Sequence, residues 1–148
     1  MSRALMVDPH RPKAEALMGP IVRFFNAAFG RRSTGSRELA DALASALADG
    51  YTEDEIRVAF WVARCVTGKA AWLSEQLRAD LLPHIVLRHA GRLNTVTGKE
   101  AKRWLDDLLA RRLEVNPTMV KSLLAGLPED MQAGEAELLI RMGILNER

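Results

Sequence analysis

The segment that follows Tyr51 constrains the whole chain. Thr52-Glu-Asp-Glu55 is a Thr-x-x-Glu capping box, in which a hydroxyl and a carboxylate satisfy free amide groups reciprocally, so a helix is predicted to begin at about Glu53. It runs to Val66 or Thr67, before Gly68, and places Ile56, Phe60 and Ala63 on one side and Val58, Trp61, Val62 and Cys65 on another. A helix that is apolar nearly all round cannot be covered by one neighbour. Beyond its first turn the only charges are Arg57 and Arg64, seven positions apart and therefore on one narrow strip. The rest of the chain has to wrap this helix, which makes it the centre of a bundle.

The remaining punctuation is helical as well. Gly19-Pro20 is read as the start of a segment from Ile21 to Phe29 closed by Gly30, with proline in the first turn and glycine just past the end. Arg31 to Gly35 reads as a loop, and Ser36 as the cap of a helix whose stripe Leu39, Leu43, Ala46 and Leu47 ends at Gly50. Trp72 and Leu73 fall in a connection with little periodicity, followed by a short helix from His84 to Ala90. Thr97-Gly-Lys-Glu100 is a second capping box, opening a helix with the stripe Ala101, Trp104, Leu105, Leu108 and Leu109. Asn116-Pro117 and Pro128-Glu-Asp130 open two more, stopped by Gly126 and Gly143. No strand alternation and no internal repeat is present. With 148 residues, 5% of them aromatic, there is room for one domain, and the expectation is an all-α, compact single-domain bundle of about six or seven helices.

No apolar run approaches the roughly 18 residues of a membrane span, and the apolar stretch at the start is too short for a signal peptide, so a cytoplasmic protein without membrane contact is expected. The single cysteine, Cys65, reads as a small buried hydrophobe. Signals for chemistry are missing. Gly68-Lys69 and Gly98-Lys99 lack both the earlier glycine and the following hydroxyl of a phosphate loop. His84 and His89 diverge by about 140° on a helix, and neighbouring acids such as Asp106-Asp107 point apart, so neither set makes a metal site. The sequence therefore predicts no cofactor, no metal and no catalytic residue.

The formal charge of +2 averages blocks of opposite sign: residues 1–37 carry +5, 38–60 carry −5, 61–112 carry +5 and 113–148 carry −3. Arginine, the planar and always-charged donor suited to phosphate, dominates the basic blocks. Arg57, Trp61 and Arg64 share a helical side, and Arg31, Arg32, Arg37, Lys69, Arg78, Arg88 and Arg92 fall in loops or short helices near it in sequence. Together they are the candidate single-strand nucleic-acid surface, with Trp61 as a stacking platform and the cations along the phosphates. The competing reading leaves the arginines as ordinary solvated surface, with Arg57 and Arg64 extending past Trp61.

The C-terminal pair, residues 117–125 and 128–142, has the outline of a helix-turn-helix but presents Glu129, Asp130, Glu135 and Glu137 where a recognition helix would meet DNA. A protein contact is expected there instead, through Leu138, Leu139, Met142, Ile144 and Leu145, with closure of the core as the alternative use of those side chains.

Three blocks carry a resemblance. Ile21-Val-Arg-Phe-Phe25-Asn26 precedes Gly30; Gly50-Tyr51-Thr52-Glu53-Asp54 follows a helix; and Trp72 precedes Gln76-Leu77-Arg78-Ala79-Asp80-Leu81-Leu82-Pro83. In this order they resemble the C-terminal domain of phage replisome-organiser and replication-initiation proteins, which are DnaD-like, over about residues 21–91. In the last block Ala79 stands where the family has proline and Pro83 where it has phenylalanine. The family's usual N-terminal winged helix has no counterpart in the roughly twenty residues that precede Ile21. The resemblance implies a non-catalytic accessory role in phage or mobile-element DNA replication, through single-stranded DNA, a replicative helicase or both. It divides the chain into an extension (1–19), a replication-type helical domain (20–91) and C-terminal helices packed on it (92–148). The alternatives from other classes are a protein-interaction module, either a host-directed phage inhibitor or a homo-oligomeric scaffold, and a small enzyme of unrecognised type.

Overall fold

A computed structural model of the chain describes residues 9–32, 34–35, 37–65 and 105–146, apart from the side chain of Glu38. Among them are six α-helical segments and one 3-10 turn, with no strand. In chain order the helices are α1 (Arg11–Phe29), α2 (Arg37–Ala48), α3 (Glu53–Cys65), α4 (105–110), α5 (Pro117–Gly126) and α6 (Glu129–Arg141); the 3-10 turn Arg112–Glu114 follows α4. The all-α expectation holds. The Ser36 cap, the connection around Trp72, the 84–90 helix with its histidines and the Thr97–Glu100 capping box lie outside the described residues.

α3 is the central helix. Ile56, Val58, Ala59, Phe60, Trp61, Val62, Ala63 and Cys65 are all buried, as a helix apolar on every side requires. α1 packs on α2 and α3, and α5, α6 and the 3-10 turn also reach α3. The capping box forms in both directions: the Thr52 amide donates to Glu55 Oε1 at 2.8 Å, and the Glu55 amide donates to Thr52 Oγ1 at 3.0 Å. Three acids then occupy the first turn, where the helix dipole favours them.

α2 ends in a six-residue closure in which the Tyr51 amide donates to the Ala46 carbonyl and the Gly50 amide to the Leu47 carbonyl, at 3.2 and 3.0 Å. This geometry puts residue 50 at φ +104°, where a Cβ would be strained. The same closure ends α6, with Ile144 donating to Leu139 and Gly143 to Ile140. At α5 the Asn116 side chain accepts from the Met119 amide at 3.0 Å, and Pro117 fills the first helical position.

One boundary differs from expectation. Gly19-Pro20 does not open α1: the helix starts at Arg11, with Pro12 in the first turn, and runs through Pro20. An internal proline removes the hydrogen bond that would reach back four residues, here to Ala16. Ala16, Gly19 and Pro20 are all exposed, so the freed carbonyl is open to hydration. The continuous helix carries Ala14, Leu17, Ile21, Phe24, Phe25 and Ala28 along one buried stripe, so residues 11–19 share the main core and are not an appended extension. Leu105, Leu108, Val120, Leu138 and Leu139 belong to the same core, which packs the C-terminal helices against α1–α3. Tyr51, just ahead of α3, donates its phenol to Asp106 on α4.

Candidate nucleic-acid interface

Arg57, Trp61 and Arg64 do lie on α3, but they do not form an open face. Trp61 is fully buried, packed against Phe24 with ring centroids 4.6 Å apart. Neither face of its indole is open to a base, and this corrects its expected role as a stacking platform. Spacing places a side chain on a side of its helix, whereas exposure depends on what covers that side. Phe24 of α1 covers the ring, and α6 closes over its N–H. The Trp61 indole N–H donates to Glu135 Oε1 at 2.8 Å, and the other oxygen of the same carboxylate accepts from Arg57 Nη2 at 2.7 Å. Glu135 is only 5% exposed. A carboxylate buried this deeply needs both oxygens satisfied, and here one charged and one neutral donor do so.

Arg64 turns the other way and donates from Nε to the Ala28 carbonyl at the end of α1, at 2.9 Å. That carbonyl lies in the last turn of the helix, where it lacks an intrahelical partner and where a cation is favoured. Arg64 thus helps to hold α1 on α3.

Sequence reasoning took Glu135 as one of several surface acids opposed to DNA. In the structure it is a central interior group. The signal that could have found it is a stripe, since Met131, Glu135, Leu138 and Met142 stand at helical spacing and three of the four are apolar. A lone carboxylate in an apolar stripe implies a buried donor opposite it.

Two further ion pairs fasten α6 to its neighbours. Arg23 on α1 donates to both carboxylate oxygens of Asp130 at 3.1 and 2.9 Å, and Arg141 near the end of α6 donates to both oxygens of Asp54 on α3 at 2.9 and 3.1 Å. The guanidinium of Arg141 holds the Asp54 carboxyl below its ordinary value, chiefly by hydrogen bonding, against a smaller upward push from partial burial. A shallow surface notch beside the Arg57–Glu135 contact is lined by Pro20, Ile21, Phe24, Arg57, Phe60 and Glu135.

The expected protein-contact residues are placed differently from the reading that exposed them. Leu138 and Leu139 are fully buried, while Met142, Ile144 and Leu145 are half-buried and pack on the same core. These side chains close the bundle, because α3 needs cover on this side and α6 provides it. Large apolar exposure among the described residues is confined to Leu113, 74% exposed in the turn after α4.

The loop between α1 and α2 is different. Arg31, Arg32 and Arg37 are exposed, and Arg32 and Arg37 have no ion pair or side-chain hydrogen bond among the described residues. Most of the other described arginines are engaged with protein: Arg11 with Asp41 and Glu15, Arg23 with Asp130, Arg57 with Glu135, Arg111 with Asp107 and Glu114, Arg141 with Asp54, and Arg64 and Arg112 with backbone carbonyls. The approach of the loop to α1 is close, since a Cβ at Gly35 would stand 2.9 Å from the end of the Met18 side chain. Lys69, Arg78, Arg88 and Arg92 lie outside the described residues.

Among the described residues no three histidine, cysteine, aspartate or glutamate side chains gather as a metal site, and no helix is long and apolar enough to cross a membrane. No protein-family model, no curated protein and no solved structure matches the chain.

Proposed function

We propose that this chain is a non-catalytic accessory protein of phage or mobile-element DNA replication. It binds single-stranded DNA, a helicase-type partner or both, and its phosphate contacts are made by the α1–α2 loop. The observation that carries the reading is the contrast among arginines. Arg32 and Arg37 stand exposed and without a carboxylate among the described residues, whereas the arginines of α1, α3, α6 and the turn after α4 are held in ion pairs or on carbonyls. Guanidinium groups without a carboxylate, on the loop and at the first residue of α2, are free to follow a polyanion, and such contacts position a backbone without reading sequence. The resemblance over residues 21–91 adds the replication context. With Trp61 enclosed, binding rests on charge, so it is strongly dependent on salt and indifferent to base identity.

Titration of a fluorescent oligothymidylate at two salt concentrations tests this. Arg32→Ala/Arg37→Ala should weaken binding at low salt and lower the log–log salt slope by roughly 0.7 for each phosphate no longer neutralised. Absence of binding by the wild-type chain at low salt refutes the reading. A protein-interaction module that does not bind nucleic acid then stands in its place, with exposed Leu113 as its first residue to test.

A further inference from the structure

The helix that closes over the Trp61 N–H is acidic, and its carboxylates sit on cations and an indole N–H belonging to the opposite face. Asp130 takes Arg23, and Glu135 takes Arg57 and Trp61. Two guanidinium groups and an indole N–H, each on a carboxylate oxygen of α6, are donors of the kind that bind phosphate, filled from within the chain. We propose that α6 is an autoinhibitory strap whose carboxylates stand in for the phosphodiester groups of a single strand, and that nucleic acid gains Arg23, Arg57 and the Trp61 N–H by displacing its N-terminal half. This rests on the nucleic-acid reading given above.

The helix is built unevenly along its length. Its C-terminal half is anchored by fully buried Leu138 and Leu139 and by the Arg141–Asp54 pair. Its N-terminal half buries Met131 and Glu135, has no side-chain cap at Pro128, and contains Gly134, which weakens a helix interior. The Arg23–Asp130 pair is more than half exposed on both sides, so salt and competing polyanions reach it. The second pair is more enclosed, with the Arg57 side chain 20% and the Glu135 side chain 6% exposed, so it is reached from the side of Arg57. Local opening of such a half-helix leaves the core closed by the other half.

The test uses the full chain with Asp130→Asn/Glu135→Gln, which keeps side-chain shape and removes both competing charges. Its affinity for oligothymidylate at low salt should rise about ten-fold, more than ordinary loss of negative charge gives. Glu129→Gln/Glu137→Gln removes as much charge from the exposed face of α6 and serves as the control. The gain should disappear when Arg57→Gln is added. A folded double variant with wild-type affinity, an equal gain in the control, or a gain that survives Arg57→Gln overturns the proposal. If the double variant does not fold, hydrogen exchange of the wild-type chain decides: saturating oligothymidylate should speed exchange of amides 129–135, and unchanged or slower exchange overturns it.

The two readings fail separately. Wild-type binding that is abolished in Arg32→Ala/Arg37→Ala, with no gain on neutralising α6, leaves the loop standing and removes the strap. Binding that appears only after neutralisation does the reverse, and no binding by either protein removes both.

Discussion

Glu135→Ala is the substitution that should cost this fold most for its size. The carboxylate is 5% exposed and accepts from Trp61 Nε1 at 2.8 Å and Arg57 Nη2 at 2.7 Å, so alanine orphans two donors at once. The indole N–H lies on a fully buried side chain, and leaving such a donor unsatisfied costs about 1–3 kcal/mol. Removing one member of a buried ion pair costs roughly 3–5 kcal/mol when the other is sealed in. Arg57 retains 20% exposure and recovers part of its hydration, which brings its share to the lower side of that range. The sum is a loss of about 4–6 kcal/mol, or roughly 8–24 °C in Tm for a chain of this length.

Glu135→Gln should cost less, about 1–3 kcal/mol, because its amide oxygen still accepts from Trp61 while its amide nitrogen, itself a donor, loses the bond to Arg57, whose exposed edge can be hydrated. Urea unfolding followed by far-UV circular dichroism gives both values, and a Trp72→Phe/Trp104→Phe background lets fluorescence report Trp61 alone. In that background Glu135→Ala should shift emission to the red and Glu135→Gln should not. A Glu135→Ala protein within about 0.5 kcal/mol of wild type, the range of an ordinary surface change, would refute the reasoning, since it would mean that α6 holds its place by apolar packing alone.

Leu105→Ala or Leu108→Ala should each cost roughly 2–5 kcal/mol, because both side chains are essentially fully buried and the cavity left behind collapses only in part; melting curves unchanged from wild type would detach α4 from the core. Thr52→Ala removes the hydroxyl that accepts from the Glu55 amide and should cost about 1 kcal/mol by denaturant titration, with the loss shrinking to a few tenths for Thr52→Gly. Burial, then the hydrogen bond to Asp106, pushes the Tyr51 phenol well above its ordinary 10.0. The raised group stabilises the fold below pH 10 and loses that contribution as pH climbs past it, so wild type should lose stability between about pH 10 and 12 more steeply than Tyr51→Phe. Parallel alkaline melting profiles for the two proteins would count against this account.

Local order was written in the residues themselves. The Thr52/Glu55 box, Asn116-Pro117, Gly50 and Gly143 act through atoms a few positions away, so the sequence alone placed the start of α3 and the ends of α2 and α6. The apolar surround of α3 likewise required a helix at the centre of a bundle. Pro20 misled because the cost of a proline inside a helix depends on whether the carbonyl four residues back reaches water, and that is a matter of which side of α1 faces out. The same limit governed the site. Arg57, Trp61 and Arg64 shared a strip by spacing, but whether that strip met solvent depended on a helix more than seventy residues further along the chain. Only the docking of α1 and α6 decided that Trp61 is enclosed, that Glu135 is an interior group and that Leu138 and Leu139 close the core, because burial belongs to pairs of helices and no periodicity within one helix records its partner.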